Sequence, residues 1–300
     1  MIDKKNVLIT GCNGQLGRSL RDLAGLFPCF EYFFTDKDEL DITDADAVKA
    51  CVLEHKIDIV INCAAYTAVD KAESEPELCE VLNHHAARYL AEAVQLREGI
   101  MIQISTDYVF DGNGNVPYTE DMPTHPQSVY GRTKLAGEQA VQEVCEKSVI
   151  IRTAWLYSPY GKNFVKTMRN LANREEQKTI GVVSDQIGTP TYAGDLAQTI
   201  LQILNGGHIE AGIYHYTNEG TASWYDFTKV IMRNLESEAY DYVSPLHTSE
   251  YPTPAKRPHY SVLDKTKIKN VYGVKISYWE DSLRECLDKL RLIEEKEKSN

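Results

Sequence analysis

Five short apolar runs rich in Ile and Val, separated by stretches with helical spacing, constrain this 300-residue chain more than any other feature. The runs cover residues 7–10, 30–35, 57–63, 100–105 and 149–153. After the first, Leu16, Leu20, Leu23 and Phe27 lay one apolar stripe along a helix, and Asp44 can cap another that carries Val48, Cys51 and Val52. Further helices are predicted over 76–96 and 128–145. Strand and helix in this alternation pair in parallel through right-handed crossovers. The expected fold class is therefore α/β, a doubly wound parallel sheet of Rossmann type with helices on both faces and its ligands at the carboxyl edge.

Beyond Trp155 the pattern loosens into a helix over 163–173, a strand over 179–183, a turn at Gly188-Thr189-Pro190, and helices over 194–204 and 223–234. A proline-rich stretch, 251–258, precedes a final helix whose last ten residues read as a solvated, fraying end. This predicts a dinucleotide-binding domain over 1–157 and a smaller, mainly substrate-binding lobe over 158–300, with some segments returning to the main sheet.

Charge and composition narrow the partners. Asp and Glu number 44 against 32 Lys and Arg, a formal charge of -12, which repels polyanions and argues against nucleic acid. A phosphate-bearing small molecule can still bind, because backbone N–H groups and single cations act at shorter range than the net field. The opening MIDKKNVLIT offers too short an apolar run for a signal peptide, and no stretch reaches membrane-spanning length. A cytoplasmic protein without a membrane partner is expected. Seven scattered cysteines, never spaced as CxxC, read as reduced thiols, and the His84-His85 pair reads as structural or surface.

Directly after the first strand, Gly11-Cys12-Asn13-Gly14-Gln15-Leu16-Gly17 opens a helix. Missing Cβ atoms let such a turn tighten, approach a pyrophosphate and pack the helix on the sheet, while the helix N-terminus supplies N–H donors. Asp36 follows the second strand where an acid accepts from an adenosine ribose, favouring NAD over its 2'-phosphorylated form, although the adjacent Lys37 works against that preference. Asp41-Ile42 can flank the adenine, with Asp41 equally readable as a turn residue, and Asn62-Cys63-Ala64-Ala65-Tyr66 offers small side chains at the third strand's end.

Ser105-Thr106 at a strand end and Tyr130-Gly131-Arg132-Thr133-Lys134 form the strongest constellation. A spacing of four sets the phenol and the ammonium one turn apart on one helical face. The ammonium, and the positive nicotinamide of an oxidised cofactor, can then lower the phenol pKa, while the Thr106 hydroxyl polarises the carbonyl that Tyr130 protonates.

Together these motifs resemble the extended short-chain dehydrogenases/reductases that act on nucleotide sugars. The strings from Ala64 to Glu73, Ser105 to Gly112, Tyr130 to Glu138, Arg152 to Tyr157, Asp185 to Thr191, Trp224 to Phe227 and Pro252 to Pro258 closely resemble the dTDP-4-dehydrorhamnose reductase family across nearly the whole chain. The resemblance implies hydride delivery from NADPH or NADH to the C4 ketone of a dTDP-4-dehydro-6-deoxy-L-mannose substrate, giving dTDP-L-rhamnose. It implies Tyr130 as proton donor, Lys134 as ribose contact and tuner of Tyr130, and Thr106 as oxyanion stabiliser. Gly11, Gly14, Gln15, Leu16, Gly17, Asp36, Asp41, Ile42, Ala64, Ala65, Tyr66 and Ile104 would attend the cofactor, and Thr106, Asp107 and Trp155 the dTDP-sugar. Arg257 suits a diphosphate, which a guanidinium can bind bidentately.

Some members of the family hold magnesium between carboxylates at a dimer interface. Gln15 and Gly194 stand near where those acids are expected, so no metal is expected here, and a homodimer, if formed, need not pair in that way. The Thr106-Asp107-Tyr108 string lacks the adjacent acid pair of a sugar-nucleotide dehydratase, and intact Thr106, Tyr130 and Lys134 argue against a catalytically silent subunit.

Overall fold

The computed structural model describes residues 4–174 and 178–299. Six parallel strands form the central sheet: β1 (Lys5–Thr10), β2 (Phe30–Phe34), β3 (Ile59–Asn62), β4 (Ile100–Thr106), β5 (Ser148–Thr153) and β6 (Gly212–His215). Their order is β6-β5-β4-β3-β1-β2, so the chain reverses direction across the sheet on either side of β1. That reversal opens a crevice at the carboxyl ends of β1 and β3. The interior strands read as unbroken apolar runs because both of their faces are covered.

One face carries the Gln15–Leu23 helix, whose Leu16 and Leu20 pack with Val7, Ile9 and Ile61. The other carries the helices Ala45–Glu54, Ala86–Gln95 and Val129–Val144 over Leu8, Val60 and Ile150. Removing one such fully buried side chain, Leu20→Ala for example, costs about 2–5 kcal/mol through lost burial and the cavity left behind. The Asp44 cap forms as expected, its side chain accepting from the N–H groups of Asp46 and Ala47 at 3.0 Å each.

Three departures from the sequence reading have local causes. The first helix stops at Leu23, and a 3₁₀ turn, Ala24–Leu26, carries the chain on toward Phe27. The helical stretch from Pro76 to Gln95 contains a π-helical turn, Val81–His85, where Asn83 points inward. Asn83 accepts from the Tyr66 N–H at 2.8 Å and donates to Thr133 Oγ1 at 3.1 Å. On the same turn His84 pairs with Glu80 at 2.6 Å and stacks on His85. Lastly, the C-terminal helix, Trp279–Ser299, is held further along than expected, Glu294 pairing with Arg169 and Arg291 donating to the Asn234 carbonyl at 3.0 Å, while residues 295–298 are exposed.

Beyond residue 158 the chain contributes to both bodies of the molecule. Helix Ala193–Gly206 buries Leu196, Ile200 and Leu204 in the same core as Leu16, and β6 lies beside β5. A second core gathers Tyr157, Val165, Phe227, Ile231, Trp279 and Leu283. Ile180–Val183 pairs in parallel with Val243–Leu246 over the crevice side of this lobe. Among the described residues no helix is long and apolar enough to cross a membrane.

Candidate active site

A cleft of about 1480 Å³ runs along the carboxyl edge of the sheet and under the second lobe. That exceeds the ~300–1,000 Å³ of a pocket for one ligand and suits two molecules side by side. Gly11 turns with φ +62°, and a Cβ there would lie 2.7 Å from the Ala64 nitrogen, so a side chain would fill the cradle and push β3 away. Gly14 starts the helix without any side-chain cap, leaving the first N–H groups at the cleft wall beside Gln15 and Leu16. Such a cradle fits a dinucleotide pyrophosphate. Gly17 is off the cleft, where its hydrogen allows contact with Cys12: a Cβ would stand 2.5 Å from the Cys12 Cα.

Asp36 lines the cleft and closes the glycine turn, its Oδ2 accepting from the Asn13 N–H at 3.0 Å and its Oδ1 from the Lys37 N–H at 2.9 Å. Lys37, Asp41, Ile42, Ala64, Ala65 and Ile104 line the same space. Asp41 is also a turn residue, accepting from the N–H and hydroxyl of Thr43, which hold its carboxyl below the usual range. Tyr66 is not brought into the cleft with the others. Its hydroxyl donates to Glu75 Oε2 at 2.7 Å, so the ring turns toward the neighbouring helix.

Helix Val129–Val144 carries the next group. Ser128 caps it by accepting from the Gly131 N–H at 3.1 Å. At Gly131 a Cβ would lie 2.3 Å from the Tyr108 carbonyl oxygen, so this glycine lets the helix settle against the turn that follows β4. Tyr130 and Lys134 are both buried and both reach the cleft beside Thr106. Lys134 Nζ donates to the Ile104 carbonyl at 2.5 Å. Burial brings this ammonium down to about 8, opposed chiefly by the nearby Glu138 carboxylate.

The phenol stands on the opposite side of its ordinary value from the one the Tyr–Lys spacing predicts. Burial pushes Tyr130 up, and the hydrogen bond with Thr106 counters this only in part. Burial is the largest influence on the phenol and decides the direction. A raised value keeps the phenol protonated at neutral pH, the form from which a proton can be given. Thr106 Oγ1 also donates to Asp107 Oδ1 at 3.0 Å and accepts from the Tyr108 N–H at 3.2 Å. Asp107 is pushed up to about 7 by burial, and its Oδ2 has no hydrogen-bond partner among the described residues.

Aromatic rings from Trp155 and from the second lobe close the cleft. Trp155, at φ +50°, stacks on Trp224 with centroids 3.6 Å apart, and Phe164 leans on Trp224 at 4.5 Å. Arg257 lines the cleft mouth from the proline-rich stretch, donating to Asp70 Oδ2 at 2.5 Å and to the Tyr108 hydroxyl at 3.0 Å. Sequence reasoning singled out Trp155 and Arg257 but not Trp224, Phe164 or Asp70 as site residues. Trp224 carried one local signal, its place directly after Ser223 in a capping box, which fixes where that helix begins.

A parallel doubly wound sheet, a glycine cradle at its reversal point and a Thr–Tyr–Lys group at the same edge define the class of extended short-chain dehydrogenases/reductases. The family model for the RmlD substrate binding domain matches residues 5–292, and the chain belongs to that family. It is similar to dTDP-4-dehydrorhamnose reductase of Aggregatibacter actinomycetemcomitans, 42% identical over 286 residues that cover 93% of this chain and 97% of that protein. Among solved structures it resembles a dTDP-4-dehydrorhamnose reductase of Clostridium acetobutylicum, 44% identical with TM-score 0.89, covering 95% of this chain and 99% of that one. It also resembles the Bacillus anthracis dTDP-4-dehydrorhamnose reductase in complex with NADP, 40% identical with TM-score 0.90 and the same coverage.

Proposed function

We propose that this chain is an NAD(P)H-dependent reductase of the C4 ketone of dTDP-4-dehydro-6-deoxy-L-mannose, forming dTDP-L-rhamnose for polysaccharide synthesis. The observation that carries this is the convergence of Thr106, Tyr130 and Lys134 on one cleft that also holds the glycine cradle and is roomy enough for two ligands. Relatives named for this activity over nearly their full length, one of them solved with NADP, support the same reading.

The turn at Gly11 and Gly14, with Gln15 and Leu16, would hold the pyrophosphate, Asp36, Asp41 and Ile42 the adenosine, and Ala64, Ala65, Ile104 and Lys134 the nicotinamide half. When bound, the reduced cofactor supplies the hydride. Everything else falls to side chains of this chain. Tyr130 gives its hydroxyl proton to the ketone oxygen as the C4 carbon accepts hydride, so C=O becomes CH–OH and the phenol becomes phenolate. The Thr106 hydroxyl donates a second hydrogen bond to that oxygen while charge develops on it, which is worth most in a site from which water is excluded. Lys134 then stabilises the phenolate until a proton returns from solvent.

Residues 158–300 would act chiefly as the substrate lobe. The Trp155–Trp224 pair offers an apolar platform, Asp107 a buried partner for a sugar hydroxyl, and Arg257 a guanidinium that can leave Asp70 for the diphosphate. Incubating the purified chain with the dTDP-4-keto sugar and each reduced cofactor, with product identification, tests the assignment. Stoichiometric formation of dTDP-L-rhamnose supports it; no oxidation of either cofactor refutes it.

A further inference from the structure

Beneath the proposed catalytic group lies an ion pair that the mechanism above does not use. Glu138 is completely buried, one turn beyond Lys134, so Tyr130, Lys134 and Glu138 form a single stripe on their helix at intervals of four. From β5, Arg152 clamps its carboxylate, Nε donating to Oε1 at 2.9 Å and Nη2 to Oε2 at 2.7 Å. The Ser105 hydroxyl donates to Oε1 as well. Ser105 lies opposite Arg152 in the β4–β5 register and directly precedes Thr106, while the carbonyl of Ile104 just before it receives Lys134. One carboxylate thus ties the helix and the strand that present all three catalytic candidates to each other and to the neighbouring strand β5.

Stability alone is a weak reason for this arrangement. A fully buried ion pair loses so much hydration that apolar residues of similar volume usually serve the fold as well or better. Direction gives a better reason: the negative end adjoins Lys134, and the positive end is turned toward β5 and the Phe110 ring, 5.0 Å from the guanidinium carbon. The other titratable groups near Lys134 are Tyr130 on its own helix, Cys63 after β3 and Cys79 on the Pro76–Glu80 helix, neutral in their protonated forms. Among the described residues Glu138 is then the one carboxylate acting on it from close by.

We propose that Glu138 is a positioning residue for the reduction: clamped by Arg152 and Ser105, it keeps Lys134 in the ammonium form and in place beside Tyr130. The inference rests on the reductase reading. An ammonium in a dry site otherwise sheds its proton easily, and the burial of Lys134 already works in that direction. Protonated Lys134 supports turnover, so activity falls as pH rises through its titration, and whatever weakens the ammonium moves that fall to lower pH.

The test is the pH profile of kcat/KM for the wild type, Glu138→Gln, Arg152→Met and the double variant, each checked for folding by thermal unfolding. The alkaline limb should run, from highest to lowest pH, Arg152→Met, wild type, double variant, Glu138→Gln, with Glu138→Gln about one unit or more below wild type. The double variant leaves no unpaired buried charge, so it keeps the test open if a single variant fails to fold. Limbs at one pH in all folded variants, with only kcat reduced, would overturn the proposal. NADPH affinity against pH, read by fluorescence, should shift in the same order. Absence of wild-type reduction would instead refute the reductase reading, while the binding profiles would still judge Glu138.

Discussion

Trp155 lies flat on Trp224, ring centroids 3.6 Å and planes 11° apart, although the two are far separated in sequence and Trp155 holds a left-handed backbone. A backbone conformation that costs of order 1–3 kcal/mol persists only where surrounding packing holds it. The stack supplies that packing and builds one wall of the cleft from two distant parts of the chain.

Trp224→Ala should therefore raise KM for the nucleotide sugar about tenfold, as losing an aromatic contact of about 1.4 kcal/mol would do, and leave the Kd for NADPH within about twofold. Steady-state kinetics combined with a fluorescence titration separates the two effects.

Arg257→Met should act at the same ligand through charge. Its guanidinium now rests on Asp70, and the proposed exchange to diphosphate would be lost, raising KM about tenfold to a hundredfold with kcat little changed. Raising the ionic strength should weaken wild-type substrate binding more than that of the variant.

Asp107 gives a stability prediction with a definite sign. Its carboxyl, ordinarily near ~3.9, stands at about 7 in the fold, so the native state favours the protonated form. That contribution is fully present below about pH 4 and is lost as pH rises through 7. Asp107→Asn should remove the loss and unfold at higher denaturant than wild type at pH 8, by about 2–4 kcal/mol, while the difference closes toward pH 4. Urea unfolding at the two pH values measures this.

Lys37 lies in the cleft wall next to Asp36, whose carboxylate is already engaged by backbone N–H groups. Lys37→Ala should raise KM for NADPH about fivefold to tenfold and leave NADH nearly unaffected, since only the former carries a 2'-phosphate for the ammonium to meet. Kinetics with both cofactors at fixed sugar concentration reads the change in ratio.

What was legible in the sequence was what is local. The glycine turn, the Asp44 cap and the Tyr130–Lys134 spacing each depend on residues within a turn or two, and the alternation of apolar runs was enough for the parallel sheet. What was not legible depends on residues brought together from afar. No periodicity announces that Trp224 meets Trp155, that Asp70 receives Arg257, or that Glu138 faces Arg152. The π-turn at Val81–His85 arises because Asn83 is held by Tyr66 and Thr133, one before it and one well after it in the chain. Tyr66 is a related case: small neighbours marked the strand end correctly, but nothing local announces that its hydroxyl meets Glu75. Burial, which spacing does not report, also sets the direction of the phenol's displacement.

Single-turnover reduction of the dTDP-4-keto sugar by wild type and Tyr130→Phe, with NADPH affinity measured on both, tests the central claim most directly. Cofactor affinity should be unchanged and the rate lower by about 10²–10⁴ in the variant, the contribution of a positioned proton donor. A Tyr130→Phe rate within about twofold of wild type, with the same alcohol formed, would contradict it.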